Sequence, residues 1–196
     1  MGLVNSFDSA VDRYFDEHLR DRTSVDRLMY AASALGDHGI LWLLIASARQ
    51  GQRLHRGERS WRPFVRAAAG VGVESALVNG PVKWIFRRER PIVDTPRTRH
   101  LRQPRTSSFP SGHATSAFCA AALLRDDDPL WPLYYAAAIV VATSRVHVRI
   151  HHASDVAGGI VLGIALGELA RWLVPLSPAQ STPGTDTTES SGKRRR

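Results

Sequence analysis

Three short stretches of the chain carry the residue types needed to hold a phosphate and attack its phosphorus with a histidine. They read Lys83-Trp-Ile-Phe-Arg-Arg-Glu-Arg90-Pro91, Pro110-Ser111-Gly112-His113 and Ser144-Arg145-Val-His-Val-Arg-Ile-His151-His-Ala-Ser-Asp155. A phosphate ester gains charge on its non-bridging oxygens as the phosphorus is attacked, so a catalyst without a metal must surround them with fixed donors. Lys83, Arg90 and Arg145 suit that task, arginine as a planar fork that grips two oxygens and lysine as a point charge. Pro91 restricts Arg90 to extended backbone, which turns its side chain out of the helix end. Ser111 adds a hydroxyl, and Gly112 adds a backbone N–H that an anion can approach with no Cβ in the way. An apolar run begins directly after His113, which puts this cluster at a helix N-terminus, where unpaired N–H groups favour an anion.

His151 and Asp155 stand at i and i+4. On a helical turn they share a face, and Asp155 can accept a proton from one imidazole nitrogen, leaving the other as a nucleophile. Attack gives a phosphohistidine, with His113 protonating the leaving alkoxide and then activating the water that hydrolyses the intermediate. Taken singly, each piece has a plainer reading: Lys83 and Arg90 as helix-end charges, Ser111-Gly112 as a turn, Asp155 as an N-cap. Jointly, eight residues in one order and spacing argue for chemistry.

In that order and spacing (Lys, six residues, Arg-Pro; Pro-Ser-Gly-His; Ser-Arg, five residues, His, three residues, Asp) the clusters resemble the type 2 phosphatidic acid phosphatase family, whose signature vanadium haloperoxidases share. The resemblance runs from about Lys83 to Gly167 and points to a small bacterial-type membrane member. It implies an all-α, membrane-embedded helical bundle with an acid phosphatase/vanadium haloperoxidase-like core. It also implies that His151 is the nucleophile, Asp155 its orienter and His113 the acid and base, with Lys83, Arg90, Ser111, Gly112 and Arg145 binding phosphate. No metal site and no cofactor are expected.

The elements that must position these residues are apolar. Leu28 to Ala48, Phe64 to Phe86, Ala114 to Leu124, Leu130 to Val148 and Val156 to Pro175 each read as helix, and a spanning helix needs roughly 20 mainly apolar residues. The mean hydropathy of −0.19 hides these stretches, because polar loops and a polar tail dilute them. About five spanning helices are expected, preceded by an N-terminal amphipathic helix on which Val4, Phe7, Val11, Tyr14 and Phe15 recur at helical spacing. That is one spanning helix fewer upstream of Lys83 than the common six-helix pattern has. The first 27 residues hold no continuous apolar core, so insertion rests on internal segments. The expected organisation is an amphipathic segment over 1–27, a membrane phosphatase domain over 28–176 and a disordered basic tail over 177–196, too rich in Ser, Thr, Pro and Gly to order itself.

The charge is +8 with a pI near 10.7, which fits phosphate-bearing partners or an anionic membrane surface. No aromatic-interleaved basic patch supports nucleic acid. Arg49, Arg53, Arg56, Arg59 and Arg62 crowd one short connection and the tail ends in Lys193 to Arg196, so the positive-inside tendency places both in the cytoplasm. With five crossings all three clusters then fall on the outer face of the cell membrane. Gly159, Gly163 and Gly167 form a small-residue stripe for close helix packing. Glu74, an ionisable group in an apolar span, reads either as functional or as paired with a polar group on a neighbouring helix. His147 and His152 read as solvated or structural, and Cys119 as a small buried apolar residue.

The function expected is a multi-pass, metal-independent phosphatase of the membrane, removing a terminal phosphate from an isoprenoid or glycerolipid (di)phosphate. The alternatives are a vanadate-dependent haloperoxidase-like enzyme and a non-catalytic basic membrane protein that binds anionic lipids.

Overall fold

The computed structural model describes residues 2–92, 106–126 and 128–176; the expected tail at 177–196 lies outside the described residues. Among the described residues there is no strand, and the order is α1 (Leu3–His18), α2 (Thr23–Leu35), α3 (Ile40–His55), α4 (Arg62–Leu77), α5 (Lys83–Phe86), α6 (Gly112–Leu124), α7 (Trp131–His147) and α8 (Ala153–Leu173).

Helix α6 is the centre. Its residues from Ala114 to Leu123 are all buried, as expected of a helix apolar on every side. Helix α8 approaches it along the glycine stripe. A Cβ on Gly159 would sit 2.7 Å from the Ser111 carbonyl oxygen, one on Gly163 2.4 Å from that of Thr115, and one on Gly167 2.7 Å from Ala122 Cβ. Only glycine permits this approach. It draws the N-terminal ends of α6 and α8, which carry His113 and Asp155, side by side, and the Ser111 amide donates to the Asp155 carbonyl at 3.0 Å.

Two expected continuous helices are broken, each for a local reason. Leu28 to Ala48 divides into α2 and α3, which bend by 76° around a 3-10 turn at Asp37–Gly39. Gly39 adopts φ +69, a left-handed conformation that ends the regular helix and favours glycine. Phe64 to Phe86 divides at a π-helical turn, Val78–Val82, where Gly80 leaves helical geometry (φ −93, ψ −106) and Pro81 has no N–H to give. The short α5 beyond this kink starts with Lys83 and stops at Arg87, which has φ +40. Both breaks lie at the end of the bundle that carries the three clusters.

Helix α8, at 21 residues with a mean hydropathy of 1.5, is long and apolar enough to cross a bilayer on its own; α2 and α3 pass the same test only as a bent pair. The other apolar segments expected to span form shorter or broken helices among the described residues. Leu43, Leu44, Val65, Val73, Ile139, Val161, Leu169 and Trp172 are exposed on the outside of the bundle, a surface suited to lipid. The amphipathic α1 caps the bundle: Phe15 joins the core beside Val146 with Val11 against it. Just past its end, Arg20 donates to the carbonyls of Val146 (2.8 Å) and His147 (3.0 Å).

The stripe makes a stability prediction. Gly163→Ala forces a Cβ into the backbone of α6 and is expected to destabilise by about 1–3 kcal/mol, whereas Gly72→Ala, where a Cβ meets nothing within 4 Å, is expected to be neutral or slightly stabilising. Thermal unfolding in detergent checks both, and equal Tm values for the two variants would contradict the packing.

Candidate active site

The kink at Gly80 turns Lys83 inward, where its ammonium donates to Asn79 Oδ1 at 2.9 Å. Arg90 lies on the connection beyond α5 and is held by carbonyls: Nη1 donates to Ile150 O (3.0 Å) and Nη2 to Ser107 O (3.2 Å). Its Nη1 also lies 3.2 Å from His151 Nε2. Arg145, in the last turn of α7, donates to Ser33 Oγ of α2. Its carbonyl accepts the amides of Ile150 and His151, each at 3.2 Å, which folds the turn back so that His151 faces the arginines.

These side chains line one cavity of about 320 Å³, to which Lys83, Arg90, Gly112, His113, Arg145 and His151 all contribute. Six of the eight residues singled out from the sequence therefore meet at one surface. The other two lie behind it. Asp155 has no solvent exposure, and Ser111 is equally buried, its Oγ without a hydrogen-bond partner among the described residues. A Cβ on Gly112 would lie 3.4 Å from Asn79 Oδ1 and 3.6 Å from Lys83 Nζ. Those are ordinary contacts, so protein packing does not demand glycine there, and the space belongs to the cavity.

The His151–Asp155 pair differs in detail from expectation. Nδ1 and Oδ2 are 3.7 Å apart, beyond hydrogen-bond range. Ser108 fills the gap, its hydroxyl 2.5 Å from Asp155 Oδ2 and 3.4 Å from His151 Nδ1. Asp155 Oδ2 also accepts the His152 amide at 2.8 Å, and Oδ1 accepts Arg88 Nη1 at 2.7 Å. His151 thus turns Nδ1 toward the serine and carboxylate and Nε2 toward Arg90. Burial pushes the His151 imidazole down to about 3, and the positive charges of Arg145 and Arg90 act in the same direction against the pull of Asp155. The ring is neutral at physiological pH, as a nitrogen nucleophile must be.

His113 stands at the start of α6 with Nε2 3.1 Å from Asp37 Oδ1 and 3.2 Å from Ser33 O. Both partners accept, so Nε2 carries the proton in this arrangement. The α2–α3 corner fits against this ring: a Cβ on Gly36 would come within 2.8 Å of His113 Cδ2.

Five neighbours, Asp8, Asp37, Asn79, Arg88 and Ser108, escape sequence reasoning. Asp37 sits in what reads as a continuous helix, Arg88 in the unspecified spacing between Lys83 and Arg90, and Asp8 among several acidic residues of α1. Arg88, inside the first cluster, and Ser108, just ahead of Pro110-Ser111-Gly112-His113, are the two that lie near enough to a cluster to be suspected. Of the residues left open, Glu74 accepts from Ser116 of α6 at 2.5 Å, a pairing across neighbouring helices. His147 is buried with Nε2 2.7 Å from Asp26 Oδ1, a structural position, and His152 is the N-cap of α8.

The sequence profile of the PAP2 superfamily matches residues 63–178. A decaprenylphosphoryl-5-phosphoribose phosphatase of Mycobacterium tuberculosis is 35% identical over 152 residues, 77% of this chain and 81% of the relative. An undecaprenyl-diphosphatase of Bacillus subtilis is 31% identical over 58% of this chain and 59% of its own. The crystal structure of a transmembrane PAP2 type phosphatidylglycerolphosphate phosphatase from Bacillus subtilis superimposes with a TM-score of 0.68 at 26% identity, covering 88% of this chain and 87% of that one.

The depressed basicity of His151 is directly observable. In ¹⁵N-histidine NMR of the detergent-solubilised protein, the His151 ring is expected to stay neutral from pH 8 down to pH 5, because its folded-state pKa lies far below the ordinary imidazole range. Titration near pH 6.5 would contradict the buried, arginine-flanked placement.

Proposed function

The chain belongs to the PAP2 superfamily and is a phosphatase, and from that premise we propose that it hydrolyses a terminal phosphate from a membrane lipid, an isoprenoid or glycerolipid (di)phosphate, through a phosphohistidine. The observation that carries this reading is the single cavity at which Lys83, Arg90, Arg145 and Gly112 from separate elements meet the two imidazoles of His113 and His151.

The phosphoryl group enters with its non-bridging oxygens toward the three cations and the start of α6, where preorganised donors oppose the charge that develops in the transition state. His151 Nε2, beside Arg90, attacks phosphorus. An N–P bond forms, the bond to the leaving oxygen breaks, and His113 supplies the proton that the leaving oxygen takes up. Water then attacks the phosphohistidine and gives a proton back to His113, which releases inorganic phosphate and restores His151. Asp155, reaching the ring through Ser108 and its own charge, keeps Nε2 in place and stabilises the cation that forms on the ring.

The named relatives act on lipid-borne phosphates, which supports a lipid substrate. The surface beside the cradle does so too: Trp84, Ile85 and Phe86 follow Lys83 directly and are 71%, 66% and 54% exposed. A headgroup in the cavity leaves its tail against this apolar edge. The outer-face, multi-pass arrangement is part of the same reading. The arginine-rich stretch begins in the second half of α3, at Arg49 and Arg53, and runs on through Arg56 and Arg59 to Arg62 at the start of α4. The first residue of α3 lies at the cavity end, and its 16 residues carry the chain about 24 Å away from it.

His151→Ala is expected to lower kcat by roughly 10⁴-fold or more and to abolish the acid-labile phosphoenzyme, while wild-type activity on a long-chain lipid phosphate is expected to persist in EDTA. Rapid-quench labelling and phosphate release check this, and an absolute requirement for a divalent cation would exclude the mechanism. For orientation, single cysteines at Ile92 and Arg56 in a Cys119→Ser background are expected to react oppositely with an impermeant thiol reagent on intact cells. Ile92→Cys should label and Arg56→Cys should be protected; the reverse pattern would put the site on the cytoplasmic face.

A further inference from the structure

We infer that Asp8 and Arg88 are positioning residues for hydrolysis, holding the Asp155 carboxylate in the orientation that serves His151; this rests on the phosphatase reading above. The sequence profile starts at residue 63, so α1 lies outside the matched region, yet it supplies a buried carboxylate to the back of the site. Asp8 is only 7% exposed. Its Oδ1 accepts the Ser154 amide at 2.7 Å, and its Oδ2 accepts the Ser154 hydroxyl at 2.7 Å and Arg88 Nη2 at 2.6 Å. Through its other nitrogen Arg88 donates to Asp155 Oδ1 and to Ser154 Oγ, each at 2.7 Å.

One guanidinium therefore spans two carboxylates, and the geometry explains what each part does. Asp155 cannot reach water, so its orientation is set wholly by its donors. Ser108 and the His152 amide hold Oδ2 on the side of His151, and Arg88 holds Oδ1 away from it. Without Arg88, Oδ1 loses its charged partner and the carboxylate is free to rotate. Arg88 in turn is kept off the cavity by Asp8, whose second oxygen is fixed by the second residue of α8, a backbone donor left unpaired at a helix start. Arg90 lies two residues beyond Arg88 and touches His151 at Nε2, so one connection grips the imidazole–carboxylate pair from both ends. A misplacement of the pair by even 1 Å is enough to slow the chemistry strongly.

The test is a kinetic double-mutant cycle in the full-length, detergent-solubilised protein with a long-chain lipid phosphate. Asp8→Asn keeps a carbonyl oxygen able to accept the Ser154 amide and removes the charge that holds Arg88. It is expected to lower kcat by roughly ten- to a hundredfold with KM little changed. In an Asp155→Asn background, assayed at high enzyme concentration, the same substitution is expected to change kcat less than about twofold, because the group it acts through is already altered. Arg88→Lys, which keeps the charge but cannot span two carboxylates, carries the same expectations and tests the inference should Asp8→Asn be too unstable to assay. A wild-type kcat in these variants, or an equal loss in both backgrounds, overturns the inference. Wild-type kcat in Asp8→Asn and Arg88→Lys alongside loss of turnover in His151→Ala overturns this inference alone. Full turnover in His151→Ala overturns the histidine mechanism and the inference with it.

Discussion

A carboxylate shut away from water must find all its stabilisation in the protein, and Asp155 is such a group. Its two oxygens draw donors from the connection after α5 (Arg88), from the stretch before α6 (Ser108) and from the cap of α8 (the His152 amide). Its backbone carbonyl accepts the amide of Ser111, where α6 begins. Through Arg88 and Ser154 it is joined to Asp8 of α1. Four parts of the chain that are distant in sequence thus have one mutually satisfactory arrangement at this end of the bundle, and the cavity is the space they enclose. Breaking a buried ion pair at one partner is strongly destabilising because the other charge is stranded, so the arrangement is held together as much by what separation would leave unpaired as by attraction.

The rest of the bundle serves to bring those parts within reach. Close α6–α8 packing is possible only because three glycines face α6, and it sets two helix starts next to each other. Toward the other end the charges pair among themselves: Asp126 with Arg66 and Arg171, Glu168 with Arg125 and Arg171, and Asp128 with Arg49 and Tyr134. Between the two polar ends the interior is apolar apart from pairs such as Glu74 with Ser116. This division of polar ends and apolar middle is what a lipid bilayer demands of a helical bundle.

The broken helices belong to the same logic. A continuous span would carry Lys83 along the axis of α4 and keep Asp37 inside a helix. The breaks at Gly39 and Gly80 instead give the cavity a corner that meets His113 and a short α5 that aims Lys83 inward. Non-helical backbone in a membrane bundle is tolerable where it lines a polar space, and these two stretches do so.

The residue types suited to phosphate chemistry, their spacing and the helical character of the chain were legible in the sequence. Phosphate chemistry demands cations and imidazoles, and bilayer crossing demands apolar runs, and both demands are properties of residues taken one at a time or at short range. The glycine stripe was legible for the same reason, its period being that of one helix. What only the tertiary structure decided were relations across long separations: that Asp8 supports Asp155, that Asp37 partners His113, that Ser108 stands between His151 and Asp155, and that two apolar runs break. Asp8 looks like its solvated neighbours Asp12 and Asp16 until α8 is packed against it, because a buried carboxylate and an exposed one are the same residue and differ only in what surrounds them.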